Sequence, residues 1–225
     1  MNKLLLTAVA LGTGGLIWGS PLLGTSSAWA GACVTDPVGD YEASGFSCNV
    51  GPVTFSDISV TTITSGSGTV TLGDFSPFTS VIGGSTEYGL ALSYSANTGT
   101  TAGSAADVSW IYNVAGTPNL DDAYMSFTGT TTGTGTAALS ETLSNGVTLS
   151  LTSPGSTSAT FTPVDSLSVI KDQNDFSGSW GSAETSILEN AFSTDVPVPE
   201  PASMTLLGTA LLGLGWLGRR RGKQV

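Results

Sequence analysis

Apolar side chains recur at every second position through most of the middle of this chain. Tyr88, Leu90, Leu92 and Tyr94 share one side of their stretch, with Glu87, Gly89, Ala91 and Ser93 on the other. Val108, Trp110, Tyr112 and Val114 repeat the pattern. So do Val147, Leu149 and Leu151, then Ala159 and Phe161, then Leu167 and Val169. A period of two puts alternate side chains on opposite faces of a strand, and β-branched and aromatic residues suit a pleated, half-buried surface. Turn-forming clusters separate these runs: Ser65-Gly66-Ser67-Gly68, Asn97-Thr98-Gly99, Gly116-Thr117-Pro118-Asn119, Asn145-Gly146 and Ser153-Pro154-Gly155. Asn145-Gly146 between Leu143 and Val147 is a hairpin signal. Ala183 to Phe192 reads as either a short helix or a last strand. Many short strands with regular turns predict an all-β fold, an antiparallel β-sandwich over residues 31–195.

The two ends follow a different pattern. Lys3 precedes an apolar run from Leu4 to Trp18, and Ala28-Trp29-Ala30 supplies small residues around a cleavage point. This is the pattern of a secretory signal peptide over residues 1–30, cut so that Gly31 begins the mature chain. Ala28, Ala30 and Gly31 are the cleavage-site residues, and signal peptidase is the implied partner. At the other end, Val198-Pro199-Glu200-Pro201 leads into an uncharged run from Ala202 to Leu217, closed by Arg219, Arg220, Arg221 and Lys223. Proline cannot join a helix interior and pushes its predecessor to extended geometry, so the VPEP step is an exposed, extended strip. The apolar run falls just short of the roughly 17–25 residues of a comfortable bilayer span. It predicts one membrane helix over 202–218, with the basic tail 219–223 held in the cytoplasm.

Charge narrows the function classes. The chain has 17 acidic residues, and Lys171 is the one basic residue between the two ends. One positive against 17 negative charges leaves −16 for the exported part, compared with −11 for the whole chain. A surface with one lysine and no arginine has nothing to neutralise phosphates, which excludes nucleic acid as a partner. Cys33 and Cys48 are the only cysteines. An even pair in an exported chain predicts a disulfide, whose short loop contributes about 3 kcal/mol in the chain-entropy model.

Candidate chemistry is sparse. The chain has no histidine, so Ser-His-Asp and Cys-His nucleophile systems and histidine metal sites are absent. Gly129 to Thr136 lacks the lysine of a phosphate loop. The adjacent pair Asp121-Asp122 reads as a solvated loop rather than a glycosidase carboxylate pair. Asp172, Asn174 and Asp175 miss the EF-hand pattern, and Asp36, Asp40 and Glu42 are a second loose acidic set. No catalytic residue, metal site or cofactor is expected. Thr-x-Thr pairs such as Thr62/Thr64, Thr128/Thr130 and Thr134/Thr136 are spaced irregularly. Trp110, Tyr112 and Trp180 are aromatics of the kind that stack on sugars, and alternation puts Trp110 on a core face.

The order VPEP, short glycine-containing apolar run, arginine cluster resembles the PEP-CTERM sorting signal, here over residues 196–225. The same kind of segment also goes under the label of ice-binding-protein C-terminal domain. Two inner stretches add to the resemblance. Phe46 to Asp57 (FSCNVGPVTFSD) is similar to the opening of many PEP-CTERM surface proteins, and Ser168-Val169-Ile170-Lys171-Asp172 is similar to their closing strand. The resemblance implies recognition by an exosortase, a membrane cysteine transpeptidase, with the precursor held transiently in the inner membrane. It implies display at the cell surface or in the extracellular matrix of a Gram-negative bacterium, with a structural or adhesive, non-enzymatic role beside exopolysaccharide in a biofilm. A carbohydrate-binding module, an ice-binding protein and a carboxylate glycosidase stand as alternatives.

Overall fold

The computed structural model describes residues 30–195. Residues 1–29 and 196–225, with the VPEP step, the expected span and the basic tail, lie outside the described residues.

The period-two pattern is realised as strands. In chain order these are β1 (Gly31–Ala32), β2 (Asp36–Pro37), β3 (Ser47–Val50), β4 (Val53–Ser65), β5 (Thr69–Ile82), β6 (Ser85–Asn97), β7 (Ala105–Gly133), β8 (Thr136–Leu143), β9 (Thr148–Leu151), β10 (Gly155–Phe176) and β11 (Gly181–Phe192), with one short helix, α1 (Val38–Tyr41). All eleven strands belong to one hydrogen-bonded sheet that curls. Every pairing is antiparallel except that of β1 with β3. The ambiguous segment 183–192 is a strand, paired on both sides with β6 and β7. Among the described residues no helix is long and apolar enough to cross a membrane.

The curl comes from two long strands. β7 and β10 pair along most of their lengths. On its other edge β7 changes neighbour, taking β4 against residues 105–116 and β11 against residues 124–133. Two wings therefore share the β7–β10 ribbon. One holds β1, β3, β4, β8 and β9, and the other holds β11, β6, β5 and β2. The change of neighbour falls at Gly116–Asn119. A side chain at Gly116 would meet Leu120 Cδ2 at 2.7 Å and Pro118 O at 2.8 Å, so this close approach requires glycine. Register slips between Thr160 and Ser166 in β10 accommodate the same bend.

The inward residues of both wings meet in one core. Phe55 faces Phe192 across the curl, with ring centroids 6.4 Å apart. Trp110 packs on Phe75 at 4.9 Å and on Tyr112 at 4.8 Å. Phe55 and Ile58 are buried core residues. Truncation of a buried aromatic such as Trp110, which has no exposed surface, costs about 3–5 kcal/mol.

Cys33 and Cys48 form the expected disulfide, with Cα atoms 4.8 Å apart. The loop it closes carries α1. Val38 and Tyr41 of that helix insert under the sheet, where Tyr41 packs on Phe46 and Phe75 and donates a 2.6 Å hydrogen bond to Val34 O. A four-residue helix has no independent stability, so the disulfide and the Tyr41 plug hold the loop together. Reduction should lower unfolding free energy by about 3 kcal/mol. Urea unfolding with and without reductant checks this, and coincident midpoints would mean that the plug alone orders the loop.

Candidate functional site

The residues flagged as candidates do not converge on a catalytic centre. Ala30 sits at the start of the described chain, where its carbonyl accepts a 3.0 Å bond from Asn49 Nδ2, and Gly31 opens β1. Ala28, Val198, Pro199, Glu200, Pro201 and the four basic tail residues lie outside the described residues. Asp121 and Asp122 are strand residues of β7, not a solvated loop. Ser193 binds both, its Oγ donating to Asp121 Oδ1 (2.6 Å) and its N–H to Asp122 Oδ1 (2.8 Å). The set Asp172, Asn174, Asp175 is split by strand alternation. Asp175 is buried, whereas Asp172 and Asn174 face solvent, so the three share no ion and form no acidic loop. Glu42 accepts a 2.7 Å bond from the Val60 N–H, a structural task. Among the described residues no group of three or more acidic or cysteine side chains has metal-holding geometry.

One exposed face carries an ordered row of polar side chains beside an exposed tryptophan. The outward residues of the β7/β11 pair form a polar ladder: Thr132 with Ser182 (3.0 Å), Thr130 opposite Glu184, and Thr128 with Ser186 (3.1 Å). At its end stands Trp180, 68% exposed. Thr134 fixes the Trp180 backbone from both sides, with Thr134 N and Oγ1 donating to Trp180 O at 2.8 and 2.9 Å and Trp180 N–H donating to Thr134 Oγ1 at 2.9 Å. The indole lies against Gly133, where any Cβ would come within 2.6 Å of Cε3, and Gly133 has φ +56°. Glycine is therefore required on two counts, and the tryptophan is held open before any ligand arrives.

The interior holds a second constellation, and sequence reading did not single it out. Along β10, Leu167, Val169, Lys171, Gln173 and Asp175 all point inward, and Ser177 just beyond it is buried too. Lys171 has no exposed surface. Directly opposite it on β8 is Glu141, equally buried, with Nζ and Oε2 2.5 Å apart. That separation makes an ion pair, and among the described residues no other donor reaches either Glu141 oxygen. Lys171 Nζ also lies 3.4 Å from Glu189 O on β11. The next residue, Asn190, is buried, accepts from the Tyr112 hydroxyl at Oδ1, and donates from Nδ2 to Tyr124 O at 2.7 Å. Burial pushes Lys171 down from its ordinary value, against the pull of Glu141, and pushes Tyr112 well up, with Glu141 adding to the rise. The signal for this cluster was present in the sequence: an alternation that carries a lone lysine onto the core face.

Further along, Asp175 accepts from Gln173 Nε2 and Thr185 Oγ1, both at 2.7 Å, yet burial raises it to about 6. Asp107 is raised to about 6 by burial and then by Asp172. Glu87, 1% exposed, is raised to about 8 by burial and then by Asp122. These three carboxyls bind their protons more tightly folded than unfolded. Their contribution to stability is therefore full below the ordinary carboxyl range and is lost as pH rises through about 6 and then about 8. The melting temperature should be higher at pH 5 than at pH 8, and Glu87→Gln should flatten the profile above pH 6. A melting temperature that climbs from pH 5 to pH 8 would contradict this.

Residues 197–221 match the PEP-CTERM protein-sorting motif. The PEP-CTERM motif implies an exported, membrane-anchored precursor with an exosortase as its processing partner. No curated protein matches the chain. Among solved structures, it is similar to the enzymatically active domain of tailspike protein 4 of bacteriophage CBA120, at 16% identity over 60% of this chain and 19% of that one, with a TM-score of 0.28. It is also similar to a family 11 carbohydrate-binding module from Clostridium thermocellum in complex with a mixed-linked β-1,3-1,4 tetrasaccharide, at 14% identity over 60% of this chain and 89% of that one, TM-score 0.25. A further likeness is to the family 11 module of the Clostridium thermocellum cellulase Lic26A-Cel5E, at 9% identity over 61% and 89%, TM-score 0.21. This chain spans about a fifth of the tailspike domain, and likenesses of this degree assign no activity.

Proposed function

We propose that this is a non-enzymatic, structural or adhesive protein of an exopolysaccharide or biofilm matrix. It is exported by a cleaved N-terminal signal and delivered to a Gram-negative surface through exosortase. The observation that carries the reading is the PEP-CTERM motif placed immediately after a disulfide-bonded β domain. The two wings of the curled sheet then act as the facing layers of a sandwich, whose outer faces are free to meet the matrix. A chain of this composition stays soluble there, because its strong negative charge opposes self-association.

Trp180 favours polysaccharide as the matrix component contacted. A fixed indole stacks on the C–H face of a sugar, and the neighbouring threonine and serine hydroxyls with Glu184 can exchange hydrogen bonds with sugar hydroxyls. Co-sedimentation of the secreted protein with exopolysaccharide from its own culture tests this. Trp180→Ala should weaken retention by about tenfold, on the order of 1.4 kcal/mol. Retention unchanged in that variant would remove the polysaccharide contact and leave the sorting assignment standing.

A further inference from the structure

We propose that Lys171 and Asn190 are joined in the mature protein by an intramolecular amide between Nζ and Cγ, formed without any other protein and assisted by Glu141. The cross-link ties β10 to β11 across the curl.

Four buried polar groups meet in one apolar pocket: an amine, a carboxyl, a carboxamide and a phenol. Lys171 and Asn190 have no exposed surface, and Glu141 and Tyr112 are each 1% exposed. A lone lysine in a strongly acidic chain would ordinarily lie on the surface, where its charge is solvated and useful. Burial against a single carboxylate is expensive, and an apolar pair of similar volume would serve stability as well. The placement calls for a chemical reason. An amine in this pocket has one: kept out of water, beside an acid that takes its proton, it is a nucleophile.

The acceptor is held in a reactive pose. Tyr112 donates its hydroxyl to Asn190 Oδ1, which withdraws electrons from Cγ and stabilises the oxyanion formed on attack. Tyr124 O holds Nδ2, the leaving nitrogen, at 2.7 Å. The Lys171 amine already contacts the carbonyl of the peptide that leads into Asn190. The carboxamide of Gln173 is a poorer acceptor, because it lies on the lysine's own strand and its nitrogen is committed to Asp175. The step balances without an added reagent. Lys171 passes a proton to Glu141, the free amine attacks Cγ, and the Nζ–Cγ bond forms. Glu141 then delivers that proton to Nδ2, the Cγ–Nδ2 bond breaks and ammonia leaves, while Nζ gives its second proton to the vacated Glu141 carboxylate, which ends neutral beside the neutral amide. No atom changes oxidation state. Fixed proximity and exclusion of water supply the rate, as in other well-oriented intramolecular reactions.

Mass spectrometry of the purified exported protein tests the proposal. The intact mass should fall below that of the disulfide-bonded sequence by one ammonia. Lys171 is the only lysine or arginine between the two ends, so a lysine-specific protease acting on the reduced, unfolded protein should fail to cut it. Fragmentation should show a branched peptide joining Lys171 to Asn190. In Asn190→Asp the same bond forms with loss of water instead of ammonia. Glu141→Gln, with its fold verified by circular dichroism, should retain the ammonia and be cut at Lys171. If Glu141→Gln does not fold, Tyr112→Phe serves, with amide formation after refolding slowed at least tenfold. An unshifted mass with cleavage at Lys171 in the parent overturns the proposal. Loss of water in the parent overturns Asn190 as the acceptor, since it would place the bond on a carboxyl.

Discussion

Replacing Pro199, Glu200 and Pro201 by alanines should abolish C-terminal processing and leave the protein in the inner membrane with its tail attached. By sequence, two prolines around one glutamate disfavour helix and favour extended backbone, whereas three alanines favour helix. The variant keeps the uncharged stretch from Ala202 to Leu217 and the basic cluster after it, so membrane insertion should persist. What it loses is the element an exosortase can read. Neutralising Arg219, Arg220, Arg221 and Lys223 should have a different effect: orientation and retention suffer, because the positive-inside signal is gone. The comparison needs an exosortase-positive host, fractionation of cells, and mass spectrometry of the C-terminus. A triple-alanine variant that is processed and reaches the surface like its parent would reduce VPEP to a linker.

The fold was legible in the sequence wherever one face of a strand is uniformly apolar. Tyr88, Leu90, Leu92 and Tyr94 belong to β6, and Val108 to Val114 to the first half of β7, as their alternation requires. Strand pairing was not legible, because period two fixes the face of a residue and says nothing about its neighbour. The exchange of partners along β7 depends on a tight bend at Gly116, which in the sequence looks like any other turn. Asp121 and Asp122 read as a loop for the same reason: they follow Pro118 and Asn119, yet the strand resumes because Ser193 and Thr194 offer pairing partners from more than seventy residues away.

The candidate sites divided in the same manner. The disulfide was legible from two cysteines in an exported chain, whereas of the aromatics named for sugar stacking Tyr112 proves buried like Trp110 and only Trp180 is exposed. The buried cluster was hidden, because Lys171, Gln173 and Asp175 are polar residues in a row that alternation makes inward-facing. Polarity suggested solvent, while period, continued from Leu167 and Val169, pointed to the core. Period prevailed. An inward polar residue is tolerated when its partner sits directly opposite or on the facing wing, as Glu141 does for Lys171 and Thr185 for Asp175.

That dependence on partners gives the largest expected effect on stability. Glu141→Ala should destabilise the protein by about 3–5 kcal/mol, a large share of the roughly 5–15 kcal/mol typical of a domain. The variant leaves the Lys171 amine without its counter-ion, buried beside Trp110 and Val169, with the Glu189 carbonyl as its remaining hydrogen-bond acceptor among the described residues. It also leaves a cavity where the glutamate stem was. Urea unfolding should show a lower midpoint at an unchanged slope, the mark of lost stability rather than altered compactness. The double variant Glu141→Leu/Lys171→Met keeps the volume and removes both charges. It should recover the part of the loss that comes from the orphaned charge, and the part that remains measures the amide that neither variant can form. If Glu141→Ala costs less than about 1 kcal/mol, water reaches Lys171 in solution and the pair behaves like a surface salt bridge. If the double variant stays as weak as the single one, charge is not what Glu141 contributes, and the bond it helps Lys171 to make is.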